Sequence, residues 1–332
     1  MASLLSSSSE FRVVSSSTLS SRTQLGRVVA FLALVGIVLW GLGEVFQRVA
    51  ARLDYNVPKI DDMMSLRGDD SDVVVLGNSM MQQSYNPEVV EQETGLTSYS
   101  LASGGQGLLA SQMFLHHYLR YNDKPSLVVV GVSVNLPAGG YGVRPQGLLL
   151  LDADEQSRFE SLRRDLSGEA TPRSVWVFNR LKAYLYRQAV ESLIKYAVLG
   201  ESRVPRIVRG HVAIDFATPG IPATSERVQA GIEEAALVSL LDACEELELP
   251  VLLVEPPSSP SAAEHAVGRD EVLAIVEREA AQRQGVSFVS YERWAVHDGE
   301  WFSLNHLNAR GAERMSREVF APLVSDALRG EP

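Results

Sequence analysis

Five short apolar runs punctuate the chain: DVVVLG at 72–77, TSYSLA at 97–102, SLVVVGV at 126–132, PVLLVEPP at 250–257 and VSFVS at 286–290. Most are continuous rather than alternating and rich in valine. They lie between segments whose apolar residues recur at helical spacing, and this combination predicts parallel strands covered on both faces. Covering helices are expected at PEVVEQETG (87–95), LLASQMFLHHYLRY (108–121), SERVQAGIEEAALVSLLDACEEL (225–247), DEVLAIVEREAAQRQG (270–285) and ARGAERMSREVFAPLVSDALRG (309–330), several closed by glycine. The fold class is therefore α/β, a doubly wound domain over residues 71–330 with a five-stranded parallel sheet. Sites in such domains gather at the carboxyl ends of the strands.

Two stretches stand outside that pattern. The connection between the third and fourth runs is far longer than usual, and is expected to form a helical insertion over about 137–230. It holds a Gly/Pro loop (LPAGGYGVRPQG), a charged helix around EQSRFESLRRDL, an amphipathic helix SVWVFNRLKAYLYRQAVESLIKYAVLG and a basic loop ESRVPRIVRGH. The other is VVAFLALVGIVLWGLG at 28–43, uncharged between Arg27 and Glu44 and preceded by a Ser-rich lead expected to be disordered over 1–25. With its flanks (26–47) it has the length of a membrane-spanning helix, and Arg12, Arg22 and Arg27 before it favour a cytoplasmic lead and an extracytoplasmic body. A cleaved signal sequence is the alternative. Residues 48–70 read as a polar linker.

Charge and composition narrow the function. Of 30 basic and 41 acidic side chains, six basic and three acidic lie in the first 59 residues, so the net charge of −11 divides into +3 for that lead and −14 for the body, which holds 24 basic and 38 acidic side chains. An acidic body does not favour nucleic acid as a partner. The lone Cys244 excludes an intrachain disulfide and a cysteine-rich metal site, and reads as a small apolar residue on the inner face of a helix. Adjacent residues cannot share a helix face, so His116 and His117 do not read as a joint metal site. No cofactor and no metal is expected. The basic loop carrying Arg203, Arg206, Arg209 and His211 reads as exposed, or as a contact for anionic glycan or lipid headgroups. Trp176, Tyr184 and Tyr186 read as packing residues of the insertion.

The chemistry-bearing residues fall at predicted strand ends. Ser79, in VVVLGNSMM, lies at the first strand-to-helix turn, where a hydroxyl is displayed or a helix is capped. SLASGGQG follows the second strand, and its glycines allow a backbone N–H to approach a ligand closely. VVVGVSVN follows the third strand and brings Asn135 near the same rim. His306, in FSLNHLNARG before the last helix, is a candidate general base. A nucleophile, a glycine amide and an asparagine amide on successive strand ends are the parts of an oxyanion hole.

This constellation resembles the SGNH (GDSL-like) hydrolase superfamily over residues 72–135 and about 250–325, and within it the membrane-anchored branch associated with O-acetylation of exported polysaccharides, such as the alginate-acetylation proteins. The resemblance implies a flavodoxin-like sheet, Ser79 as nucleophile, the amides of Ser79 and Gly105 (or Gly104) as oxyanion donors, Asn135 as a further donor and His306 as base. It also implies an acetylated polysaccharide as substrate and a membrane-bound O-acyltransferase as partner. The sequence departs from the family pattern at three places. Asn78 replaces the usual aspartate, Ser133 stands where the family's asparagine does, and Ser303 occupies the place of the acid three residues before the histidine. Asp298, Glu300 or Glu255 is then the candidate orienting acid. The implied activity is a serine esterase or O-acetyltransferase, and the alternative is a catalytically degenerate glycan-binding or assembly subunit.

Overall fold

The computed structural model describes residues 21–53, 56–134, 151–168, 182, 186, 206–215, 217, 219–291, 294 and 296–330. Its centre is a parallel sheet of β1 (Val73–Leu76), β2 (Ser98–Ser100), β3 (Leu127–Gly131), β4 (Val251–Glu255) and β5 (Val286–Ser290), in spatial order β2-β1-β3-β4-β5. All five predicted runs form strands. β1, β3 and β4 are buried along their whole length, as continuous apolar runs in a sheet covered on both faces must be. The two-residue period sorts β1 between the layers. Val73 and Val75 join one core with Met81, Tyr85, Leu307 and Phe320, while Val74 and Leu76 join the other with Tyr99, Leu109, Leu237 and Val276.

The chain leaves β1 for β2 on one side and returns to β3 on the other, so the strand order reverses between β1 and β3. A crevice forms at such a switch point, outside the carboxyl ends of the strands. Ser79 follows β1 and Ser133 follows β3.

Helices among the described residues include α1 (Ser21–Leu53), α2 (Asn56–Ser65), α3 (Ser79–Ser84), α4 (Pro87–Thr94), α5 (Leu108–Tyr121), α6 (Ala153–Ser167), α7 (Glu234–Glu246), α8 (Arg269–Ala281), α9 (Ala309–Met315) and α10 (Ala321–Arg329), besides a single turn at Pro260–Glu264. α1 carries a stretch, Thr23–Ala50, that contains an 18-residue window of mean hydropathy 2.3 and is long enough to cross a bilayer. Its side chains stand clear of the domain, Trp40 being 68% exposed. Near the end of this stretch Ala50 packs against Tyr186.

Three local expectations are corrected. Residues 56–65, read as linker, form α2, because Ile60, Met63 and Met64 fall on one face and bury in the main core. The start of the segment read as a helix over 225–247 is extended: Val228–Gln229 pairs with Ala266–Val267, and the helix begins only at Glu234. The final helix is interrupted by a π turn at Ser316–Phe320, where the Ala321 N–H reaches back to the Ser316 carbonyl. Pro322 supplies the reason, since it has no N–H and its ring crowds the carbonyl four residues before it.

The basic loop is also a built element. Arg206–Val208 and His211–Ala213 form a hairpin that covers the edge of β2, with the Ser100 N–H donating to the Arg209 carbonyl at 2.9 Å. Covering an edge removes a row of unpaired backbone groups. Arg209 pairs with Glu91, Arg206 lies 3.6 Å from Glu88, and His211 is buried. His211 therefore serves the fold, Arg209 is held by an ion pair, and Arg206 stays exposed. Arg203, Trp176, Tyr184 and the amphipathic helix of the insertion lie outside the described residues, apart from Lys182 and Tyr186. The charged helix of the insertion is α6, which starts at a capping box of Asp152 and Glu155.

Candidate active site

The turn carrying Ser79 is set by two glycines and an asparagine. Gly77 has φ +136, a conformation that only glycine adopts freely. A Cβ on Gly131, at the end of β3, would lie 1.7 Å from Met81 Cγ, so Met81 occupies space that a side chain would otherwise fill. That contact seats α3 directly against β3. Asn78 caps α3: its Oδ1 accepts from the Met80 N–H at 2.9 Å, and its Nδ2 donates to Ser133 Oγ at 2.8 Å. Asn78 thus joins the end of β1 to the end of β3 through a donor that an aspartate lacks.

His306 enters from the opposite side. It lies on a short antiparallel hairpin of β6 (Trp301–Ser303) and β7 (His306–Leu307), with Ser303 opposite His306 and an irregularity between the two pairs. The hairpin is pinned at its exit by Asn308, which caps α9 by accepting from the Arg310 and Gly311 N–H groups and donates its Nδ2 to the Gly299 carbonyl at 2.7 Å.

The two halves meet. His306 Nε2 lies 2.7 Å from Ser79 Oγ, and His306 Nδ1 lies 2.7 Å from Ser303 Oγ. With the proton on Nδ1, the imidazole donates to Ser303 and accepts from the Ser79 hydroxyl, the tautomer that a general base requires. Burial pushes the His306 pKa down to about 4, so the ring is neutral over most of the pH range.

The proposed carboxylates are engaged elsewhere or exposed. Glu300 accepts from Arg314 Nη2 at 2.8 Å and from the His297 N–H at 2.8 Å. Glu255 accepts from Arg269 at 2.9 Å and from Ser290 Oγ at 2.6 Å, and so fastens the end of β4 to β5. Asp298 is exposed in a turn and makes no hydrogen bond to His306. The expectation of an orienting acid is corrected: a hydroxyl, Ser303, holds the far nitrogen.

No family model matches the chain, and no curated protein matches it. Among solved structures it is similar to an acetyl xylan esterase (Est2A) from the rumen bacterium Butyrivibrio proteoclasticus, with 9% sequence identity and a TM-score of 0.33. The match covers 80% of this chain and 65% of that one.

A cavity of about 220 Å³ opens beside Ser79. Gly105, at φ +71, borders it, as do Gly77 and Gly131. Asn135 lies outside the described residues, whereas Ser133 borders the cavity from the end of β3. Gln106 and Glu233 also border it, and sequence reasoning passed over both. Gln106 sits inside the glycine-rich block and could have been suspected from it. Glu233 could not, because its segment reads as the middle of a helix.

The two histidines of α5 have separate surroundings. His117 is buried between Glu155 and the Met64 carbonyl, at 2.8 and 3.0 Å, and burial lowers the pKa of His116. Cys244 is buried in α7, its thiol pushed up to about 12 by burial, which leaves it protonated and inert.

Proposed function

We propose that this protein is a membrane-anchored, extracytoplasmic SGNH-like serine esterase or O-acetyltransferase acting on acetyl esters of a cell-envelope or exported polysaccharide. The observation that carries this reading is the continuous chain Ser303 Oγ, His306, Ser79 Oγ, with 2.7 Å at each contact. Ser79 Oγ attacks the acetyl carbonyl while its proton passes to His306 Nε2. The ester C–O bond then breaks, the proton passes on to the departing alcohol, and an acetyl-enzyme remains. Water or a second sugar hydroxyl, deprotonated by His306, releases the acetyl group. The amides of Ser79 and Gly105 are the proposed donors to the oxyanion, with Asn135 as a further candidate.

Ser303 is the proposed positioning group. It holds the ring in place and is compatible with the productive tautomer, but as a neutral hydroxyl it neither enforces that tautomer nor stabilises the imidazolium as a carboxylate does. In a serine protease, replacing the acid by a neutral group costs roughly four orders of magnitude in rate. That same substitution favours a second reading, in which the chain binds glycan in this cleft and uses its anchor to join a membrane-bound O-acyltransferase.

Hydrolysis of p-nitrophenyl acetate by the full chain in detergent separates the two. On the enzyme reading, wild type is a slow esterase, Ser79→Ala removes the activity, and Ser303→Asp raises it. If all three match buffer while acetylated glycan still binds, the binding-subunit reading replaces it.

A further inference from the structure

The cavity beside Ser79 holds about 220 Å³, below the roughly 300–1,000 Å³ of a complete small-ligand site. Such a space takes an acetyl group and part of a sugar, so a polymeric substrate must continue outside it. A cavity of about 740 Å³ adjoins the same hairpin. Trp301 borders it, two residues before Ser303 on β6 and about 7 Å away along the strand. The paired ribbon of Val228–Gln229 and Ala266–Val267 links the two spaces as well: Gly231 and Ile232 border the cavity at Ser79, and Ala266 and Gly268 border the larger one. Its remaining wall includes Ser258, which follows β4, and Trp294, which follows β5. Both cavities therefore share two walls at the carboxyl rim of the sheet.

The larger cavity has the surfaces that a sugar chain needs. Trp294 is half-buried in its wall, and Arg314 Cζ lies 4.0 Å from the centroid of its ring while Arg314 Nη2 donates to Glu300 at 2.8 Å, which fixes the indole. An indole offers a flat apolar face with negative charge density, on which the C–H groups of a pyranose pack. Trp301, 1% exposed, lies in the same wall with an indole N–H that has no hydrogen-bond partner. An unmet buried donor carries a desolvation cost that an arriving hydroxyl oxygen relieves. Glu264, Asp270 and Glu271 border the cavity and are exposed, which places carboxylate acceptors for sugar hydroxyls at its mouth. Arg269, also at its border, holds Glu255 at 2.9 Å. We infer that this cavity is a second subsite, which holds sugar units of the same polysaccharide chain away from the ester under attack. The inference deepens the proposed function and rests on it for the position of that ester at Ser79.

The test compares kcat/KM of the full chain in detergent on acetylated xylobiose and acetylated xylohexaose, which carry the same ester on a chain too short to fill the second cavity and on one long enough. Wild type is expected to favour the longer chain by about tenfold, through KM rather than kcat. Trp294→Ala should remove most of that preference, with a smaller effect on p-nitrophenyl acetate, which brings no sugar. Trp294 also packs against the core, so Glu264→Ala combined with Glu271→Ala is the second variant. Both side chains are exposed, and their loss should lower the preference by about threefold. Equal kcat/KM on the two chains, or a preference that Trp294→Ala and the double variant both leave unchanged in proteins with native circular dichroism, overturns the inference. If no ester is turned over, the enzyme reading fails instead. The inference is then decided by calorimetry with xylohexaose: binding that Trp294→Ala weakens by about tenfold supports it, and no binding, or binding that neither variant weakens, overturns it.

Discussion

His306 sits between two hydroxyls, and burial is the cause of its lowered pKa, with no contribution from a charged side chain among the described residues. The consequence is a measurable pH profile. Because the base must be neutral, kcat/KM for p-nitrophenyl acetate should stay level as pH falls through the ordinary histidine range and decline only as it approaches about 4. In Ser303→Asp, a carboxylate would favour the imidazolium and move the inflection upward. A wild-type inflection at the ordinary value of 6.5 would show that the ring is not held in this dry, uncharged setting. His306→Asn, which removes the base but keeps a polar side chain, should lower the rate by about a thousandfold or more. Ser79 was legible in the sequence because it lies just past a continuous apolar strand, and His306 because it stands just before a long segment of helical spacing. Ser303 was legible as a departure from a pattern, but its role was not, since a hydroxyl three residues before a histidine meets the ring only if the chain turns back between them. That turn, over Leu304 and Asn305, joins strands of three and two residues, too short to leave a periodic signature.

At the scale of elements, the close seating of α3 on β3 is the feature most open to test. Gly131→Ala would place a methyl group inside Met81, and overpacking of this kind costs about 1–3 kcal/mol. Urea denaturation should show that loss, the esterase rate should fall with it because Met81 lies two residues from the nucleophile, and adding Met81→Ala should restore part of the stability. A Gly131→Ala protein as stable and active as wild type would mean that α3 does not depend on this contact. The strands were legible as elements because a buried parallel strand has to be apolar throughout, leaving few other readings of VVVL or VLLVE. Helix boundaries were less so. The apolar spacing of Ile60, Met63 and Met64 was hidden among charged neighbours in KIDDMMSLRGDD. The π turn before Pro322 is a geometric answer to a missing N–H rather than a pattern in the sequence. The pairing of Val228–Gln229 with Ala266–Val267 joins segments too far apart for local periodicity to register.

For the molecule as a whole, α1 and the buried histidines make separate predictions. If the exposed apolar surface of α1 lies in a bilayer, the full chain should remain in the membrane fraction after a high-salt wash, and a chain starting at residue 56 should be soluble with its p-nitrophenyl acetate rate within about twofold, since surface contacts far from a site seldom change it more. Loss of the full chain into the salt wash would count against the anchor. His211 and His306 both have pKa values lowered by burial to about 4 from an unfolded value of 6.5. The unfolded chain therefore binds protons that the native one refuses. Their contribution to stability is complete above 6.5 and is lost progressively as pH falls toward 4. The urea midpoint should drop between pH 7 and pH 5, and an unchanged midpoint would argue that one or both rings are open to water. The hairpin that buries His211 has a wider consequence. His211 Nδ1 lies 3.0 Å from the Gln82 carbonyl on α3, and the Ile214 carbonyl accepts from the Ala309 N–H at 2.8 Å, at the start of α9. The segment from 211 to 214 carries no catalytic group, yet it works as a tie rod between the helix of the nucleophile and the helix that follows the base. A change in the length of that rod would alter the gap between Ser79 and His306, so the candidate site would have a mechanical setting as well as a chemical one, held by a stretch that a map of candidate catalytic residues leaves blank.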